Sequence, residues 1–498
     1  MLPPSRLFLL ALTIAPLRPP HRHRRSVSAA VPAVRYDAPR SGAALAGDLA
    51  SQLSSRVRSG HWGVIVVSLT RGDTLYEVNA DQPLQPASTM KLFTSALALE
   101  RFGPEFQFST DVLRDGPVDS AGTLHGNLIL RGDGDPSLSN RFLRGDPDAP
   151  MQLLARYVKA AGIKRIDGDI IGDATAFVDQ PVPLGWKPRW LTAGYAPRIS
   201  ALSLNDNLAW VAVSPGAPNR AAVGLLPSSS AIPIANTVKT VEGSYGTHVV
   251  VLARADGGVD ARGWIGSRAP THTVELVIED PALFTTGALR DALASQGVGA
   301  QGTVRLGQTT AGAIPVASLP SPPLARIIAA MNRESINCYA ELLFRDAVRG
   351  PERKESGSAD LGAAMLRDFL NEKVDAPRDA VTVTDGSGLS TLDRITPRAM
   401  VDLLAYAHKA PWAPAFHASL PVAGESELLR NRMRFTPAQG NLHAKTGTTN
   451  DVISLGGYVT AMDGEVLAFS FIYNGYDRWN AKSTIDGMGA TLASFIRP

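Results

Sequence analysis

Residues 86–95 read Pro-Ala-Ser-Thr-Met-Lys-Leu-Phe-Thr-Ser, and the meaning of this stretch decides how the rest of the 498-residue chain is read. Ser88 and Lys91 stand three apart. If a helix begins near Ala87 they share one face, which brings the lysine amine to the serine hydroxyl, a base beside a nucleophile. The plain alternative is that Ser88 caps the helix and Lys91 is solvated, and S-x-x-K arises by chance roughly once in a chain of this length. The triplet needs support from elsewhere in the chain.

Composition sets the limits. Apolar residues make up 44% and charged residues 19%, values of an ordinary globular protein, and the length allows about three domains. Forty-nine basic against 46 acidic side chains leave +3, too weak a bias to argue for nucleic acid as a partner. The single cysteine, Cys338, excludes an internal disulfide and a thiolate zinc cluster, and none of the nine histidines stands in an H-E-x-x-H motif. No metal, cofactor or redox role is expected.

The apolar run Leu7–Ala15 has the length of a secretory h-region and is too short to span a bilayer. Residues 1–39 are therefore read as a leader, disordered through about Pro39, with export and cleavage before Val34. An uncleaved anchor and a misassigned start remain open, as does peripheral membrane contact.

Beyond the leader, Leu45, Leu49, Leu53 and Val57 mark one face of a helix. Val64–Leu69 and Leu75–Val78 read as a hairpin around Arg71-Gly72-Asp73, followed directly by the S-T-M-K helix. After Phe102 come short strands between Gly, Asp and Pro, and the run Gly132-Asp133-Gly134-Asp135 reads as a turn, since it lacks both the P-loop lysine and the EF-hand glutamate. Residues 153–172 and 288–307 echo each other as helix followed by Gly-bounded strand. Val249–Ala253 with Thr273–Ile278 are expected to pair. Leu324–Arg345 reads as one helix and Pro397–Lys409 as another. The late strands Ser454–Thr460 and Val466–Tyr473 are expected to close one antiparallel sheet with the first hairpin.

Two further motifs follow Ser88 and Lys91 in order: Ser335-Ile336-Asn337, and Lys445-Thr446-Gly447-Thr448 at a strand edge. The set resembles the S-x-x-K, S-x-N and K-T-G motifs of penicillin-binding proteins and serine β-lactamases. The long gap between the first two narrows the resemblance. So do Gly134-Asp135-Pro136, Ala201-Leu202-Ser203-Leu204-Asn205-Asp206-Asn207, Glu279-Asp280-Pro281 and Asp385-Gly386-Ser387-Gly388-Leu389-Ser390. From about Leu45 onward the chain is similar to low-molecular-mass (class C) penicillin-binding proteins of the D-alanyl-D-alanine carboxypeptidase/endopeptidase type, peptidase family S13.

The resemblance implies a mixed α/β fold: a transpeptidase-like domain, an antiparallel sheet with flanking helices, interrupted by two nested insertions. We expect the catalytic domain at 43–102 plus 318–498, one insertion at 103–120 plus 191–317, and a second at 121–190. The implied activity is a serine-type D-Ala-D-Ala carboxypeptidase, with DD-endopeptidase action left open, on peptidoglycan stem peptides in the periplasm or cell envelope. β-Lactams would acylate the same serine. Rival readings are a β-lactamase or esterase, for which no separate glutamate base is identifiable, and a non-catalytic wall-binding protein, against which the complete motif set speaks. Oligomeric state is not readable.

Residue chemistry assigns the roles. Ser88 attacks. Lys91 takes its proton, with a pKa lowered by the Lys445 ammonium and partial burial. Ser335 relays a proton to the leaving amine, and Asn337 holds Lys91 and the substrate carbonyl. Lys445, more exposed and charged, binds the terminal carboxylate with Thr446 or Thr448, and Gly447 lets the ligand lie along the strand. By resemblance, the Ser88 and Thr448 N–H groups form the oxyanion hole. Ile336 and Gly424-Glu425-Ser426-Glu427-Leu428 depart from the family pattern. Asp385 and Ser387 read most simply as a turn, and Asp173 or Asp179 is a candidate contact for a diaminopimelate amino group.

Overall fold

A computed structural model describes residues 34–57, 59–143, 147–254, 256–353 and 355–497. Most of the expected leader lies outside the described residues. Its last part, 34–39, is ordered rather than disordered. The Asp37 N–H donates to Thr491 Oγ1 (3.0 Å) and Pro39 O accepts from the Ile496 N–H (3.1 Å), so this segment docks on the last helix.

The chain ends meet in one antiparallel sheet, as expected. Its strand order is His443–Thr448, Val452–Thr460, Val466–Asn474, His61–Ser68, Thr74–Val78, and the register sets Val64 opposite Phe471 and Lys445 opposite Gly456. Because strand residues alternate between faces, both faces are apolar and both are covered by helices. On one face Val64, Val66, Leu455, Phe469 and Phe471 pack with Leu45, Leu49 and Leu53 of helix Gly42–Arg56 and Ile485, Met488 and Leu492 of helix Arg478–Ser494. Each buried leucine there contributes about 2 kcal/mol. On the other face Ile65, Ala468 and Ile472 pack with Leu92, Leu342, Met400 and Leu403. Helix Pro397–Lys409 matches its expected span, with Pro397 in the first turn and the Ala399 N–H donating to Thr396 Oγ1 (3.1 Å).

The expected single helix 324–345 is two. Helix Leu324–Glu334 stops at Ser335, whose backbone is left-handed (φ 60°, ψ 43°), and a new helix runs Asn337–Arg349. Apolar periodicity continues across the break, which is why the sequence conceals it.

The two echoing segments lie side by side: Arg165–Ile166 pairs parallel with Gly299–Ala300, and Ile170–Gly172 with Val304–Leu306. The first pair joins Thr123–Leu124 in a three-stranded sheet, and the second belongs to a five-stranded sheet ordered Val304–Leu306, Ile170–Asp173, Leu128–Arg131, Ser109–Arg114, Ile314–Pro320. Hydrogen bonding therefore runs across the expected boundaries near 120, 190 and 317. Val249–Ala253 does not pair with Thr273–Ile278. It pairs with Val259–Gly266, and His272–Val277 pairs with Leu208–Ser214. The local reason is the Asp256-Gly257-Gly258 turn, closed by the Arg254 N–H to Gly258 O (2.8 Å), which folds the strand back on its immediate successor. Among the described residues no helix is long and apolar enough to cross a membrane.

Candidate active site

The S-T-M-K stretch forms a 3₁₀ turn, Ala87–Met90, leading into helix Lys91–Phe102. Two hydroxyls fasten the turn to the sheet: Thr89 Oγ1 and Ser454 Oγ both donate to Pro86 O, at 2.7 and 2.6 Å. Gly388 (φ 78°) packs against it from the other side, where a Cβ would meet Ala87 O at 1.9 Å. Ala87 itself is left-handed (φ 48°), strain of the kind that persists where surrounding structure holds it.

Lys91 is fully buried, and its Nζ lies 3.1 Å from Ser88 Oγ, 2.6 Å from Asn337 Oδ1 and 2.8 Å from Ser387 O. Burial pushes its pKa down to about 7, partly opposed by the carboxylates of Asp385 and Glu341. Of the two expected causes burial is the one that acts, and crowding by Lys445 does not contribute. The partners suit both forms of the amine: as an ammonium it donates to Ser88 Oγ, Asn337 Oδ1 and Ser387 O, and in the neutral form the last two, which can only accept, take its two N–H groups and leave the lone pair for the Ser88 hydroxyl.

Asn337 is held in turn. Its Nδ2 donates to Tyr195 O (2.7 Å), which leaves Oδ1 for Lys91. Tyr195 lies in 181–200, a segment rich in Pro and Trp. Ser335, at the helix break, accepts from Lys445 Nζ (2.9 Å), and among the described residues no hydrogen bond joins it to Lys91 or Ser88. Lys445 is fully buried rather than more exposed than Lys91. It donates also to Thr446 O (2.9 Å), and burial, then the charge of Lys91, push its pKa well down.

Thr446 is buried and Thr448 exposed. Gly447 lies close to the nucleophile turn: a Cβ there would meet Ser454 Oγ at 2.2 Å, Pro86 O at 2.7 Å and Ser88 N at 3.0 Å. The Ser88 N–H therefore abuts the strand that carries Thr448. Ser88, Ser335, Asn337 and Thr448 open on a cavity of about 380 Å³. Asp173 and Asp179 do not line it. Asp173 instead accepts from Thr175 and Thr309 inside the insertion.

The sequence profile described as the D-Ala-D-Ala carboxypeptidase 3 (S13) family matches residues 45–495. The chain belongs to that family. A D-alanyl-D-alanine carboxypeptidase of an Actinomadura species is 33% identical over 449 residues, 87% of this chain and 81% of that protein. The D-alanyl-D-alanine carboxypeptidase DacB of Haemophilus influenzae is 26% identical over 439 residues, covering 87% and 89%. The crystal structure of penicillin-binding protein 4 from H. influenzae superposes with a TM-score of 0.76 at 23% identity, covering 90% of this chain and 99% of that one. A second structure of that protein, complexed with a β-lactam, has a TM-score of 0.68 at 23% identity, covering 88% and 97%. The S13 fold is thus shared along nearly the whole chain.

In this S13 chain the sequence motifs omit several residues that build the site. Trp190, Tyr195, Leu389, Thr449, Asn450 and Arg478 complete the cavity wall, and Arg478 Nη1 donates to Thr449 O (2.8 Å). Leu389 lies in the Asp385–Ser390 stretch quoted above, and none of the motifs points to the other five. Asp385 is no simple turn residue. It is fully buried, and its carboxylate accepts from the N–H groups of Ser387 (3.0 Å), Gly388 (2.6 Å) and Ser390 (2.7 Å) and from Trp186 Nε1 (2.7 Å). Cys338 is buried and its thiol is pushed up, an inert core group.

Proposed function

We propose that this chain is a serine-type D-Ala-D-Ala carboxypeptidase that cleaves peptidoglycan stem peptides through a Ser88 acyl-enzyme. The observation that carries the reading is the Lys91 amine, fully buried, lowered to about 7, and turned by two obligate acceptors so that its lone pair meets Ser88. Family membership and the similarity to D-alanyl-D-alanine carboxypeptidases support the substrate class.

The steps follow from the groups present. The substrate carboxylate sits at Thr448 on the cavity wall, with the buried Lys445 behind Ser335 supplying positive charge; its depressed pKa rises again once an anion comes near the desolvated ammonium. The Ser88 hydroxyl gives its proton to Lys91 as its oxygen adds to the penultimate D-alanine carbonyl. The N–H groups of Ser88 and Thr448 hold the oxyanion. As the C–N bond breaks, the proton that Lys91 took from Ser88 passes to the leaving amine by way of the Ser335 hydroxyl, which gives one proton and takes one, and Lys91 is neutral again. Water then attacks the ester, losing a proton to the neutral Lys91, which returns it to Ser88 Oγ as the ester bond breaks. A β-lactam would form the same ester but keep its amine tethered. Action in the bacterial cell envelope, after export, accords with this substrate.

Mass spectrometry of muropeptides incubated with the enzyme tests the proposal. Pentapeptides losing one D-alanine is the expected result, and conversion of cross-linked dimers to monomers alone would replace it with an endopeptidase. Unchanged muropeptides would refute it.

A further inference from the structure

The two acceptors that aim Lys91 do not stand on their own, and what holds them comes largely from outside the three motifs. Asn337 is oriented by the Tyr195 carbonyl, which can receive only Nδ2 (2.7 Å) and so presents Oδ1 to Lys91. The Ser387 carbonyl is oriented by its loop, which is wrapped around the Asp385 carboxylate through three backbone N–H groups and the Ser387 hydroxyl (3.1 Å). The two supports are tied together. Trp186, nine residues before Tyr195 on the same segment of the insertion, donates its indole N–H to Asp385 Oδ2 at 2.7 Å, and Gly185 O accepts from Thr391 Oγ1 at 3.1 Å. Both Trp186 and Asp385 are buried.

We infer that the 185–195 strap and Asp385 form one positioning device for the catalytic amine: the strap sets Asn337 through Tyr195, Asp385 sets the Ser387 carbonyl, and the Trp186–Asp385 bond locks the two together. Neither Asp385 nor Trp186 touches the reacting atoms. Their effect is on the direction and the protonation of Lys91. This rests on the acyl-enzyme reading above and adds to it that the insertion is part of the proton-transfer machinery rather than only a neighbour of the cavity.

The protonation effect has a sign that a loss of packing would not reproduce. The charged groups around Lys91 are Asp385 on its loop, Glu341 on helix Asn337–Arg349, and Lys445 on its strand. Asp393, packed beside Asp385, is pushed well up, by burial first and then by the Asp385 charge. Removing the Asp385 charge takes away the larger of the two carboxylate effects that hold the Lys91 pKa up. Glu341, itself raised to about 7 in part by Asp385, ionises more readily and offsets the change only in part, since it is already bonded to Arg345 (2.8 Å). The Lys91 pKa therefore falls further. Mere loosening of the site admits water, relieves burial and moves it the other way.

The test follows acylation by a fluorescent penicillin as a function of pH for the wild type, Asp385→Asn and Trp186→Phe, with thermal unfolding of each. Expected are a loss of about 10²-fold in acylation rate for Asp385→Asn, with its acidic limb moved to lower pH. For Trp186→Phe, which keeps a ring and loses only the N–H, the expected loss is about three- to tenfold. A folded Asp385→Asn that acylates at the wild-type rate, or whose limb moves to higher pH, overturns the inference. If that variant fails to fold, Trp186→Phe decides, and an unchanged rate overturns it. A wild type that takes no label sinks the proposed function and the inference with it, whereas a labelled wild type with indifferent variants sinks the inference alone.

Discussion

At the scale of single residues, the chemistry turns on a lysine that is an amine because it is buried. Below a pH of about 7 Lys91 gains a third N–H and has no lone pair for Ser88. Acylation by penicillin should therefore rise with pH through about 7 and fall about tenfold per unit below the limb. A flat rate between about pH 5 and 8 would contradict the assignment of the base. Gly447 gives a second prediction. A Cβ there intrudes on Ser454 Oγ and on Pro86 O and Ser88 N of the nucleophile turn, so Gly447→Ala should cost about 1–3 kcal/mol in thermal unfolding and slow acylation. A wild-type unfolding temperature and rate would show that the turn tolerates displacement. The motif residues were legible because their chemistry demands particular side chains at particular spacings. The supports were not, because Asp385 and Trp186 act through backbone carbonyls and an indole N–H, which leave no spacing rule in the sequence. Lys445 was misjudged for the same reason: burial is a property of three distant segments meeting, not of the strand that carries it.

At the scale of elements, the decisive feature is the interruption between helices Leu324–Glu334 and Asn337–Arg349. The left-handed Ser335 lets the chain change direction for one residue, which puts Ser335 on Lys445 and Asn337 on Lys91. A non-glycine residue in that conformation costs roughly 1 kcal/mol. Ser335→Gly should thus be about 1 kcal/mol more stable than Ser335→Ala, while both lose the hydroxyl and turn over substrate equally slowly. Equal unfolding temperatures would mean that the break carries no strain. Strands and helices with strong periodicity, such as Pro397–Lys409, were readable from the sequence. Pairing partners were not, since Val249–Ala253 has the pattern of any half-buried strand and only its local turn decides what lies beside it.

At the scale of the whole molecule, the first and last segments of the chain build one sheet, and everything between returns to it. Residues 34–40 close this arrangement from outside, through the half-buried Val34 packed against the core and the bonds of Asp37 to the last helix and of Pro39 to Ile496 just beyond it. They lie across the sheet from Ser88. Their deletion should lower stability by about 2 kcal/mol in chemical denaturation and leave the acylation rate intact. A variant that keeps full stability would show that this docking contributes nothing. Residues 185–195, by contrast, reach the catalytic amine through Asn337, so the site draws on a segment far in sequence from its three motifs.

The most direct measurement is peptide mapping by mass spectrometry after brief exposure to a penicillin. A single adduct is expected on the peptide containing Ser88 in the wild type, and none anywhere in Ser88→Ala. An adduct on Ser335 or Ser387, or one that persists in Ser88→Ala, would contradict the account.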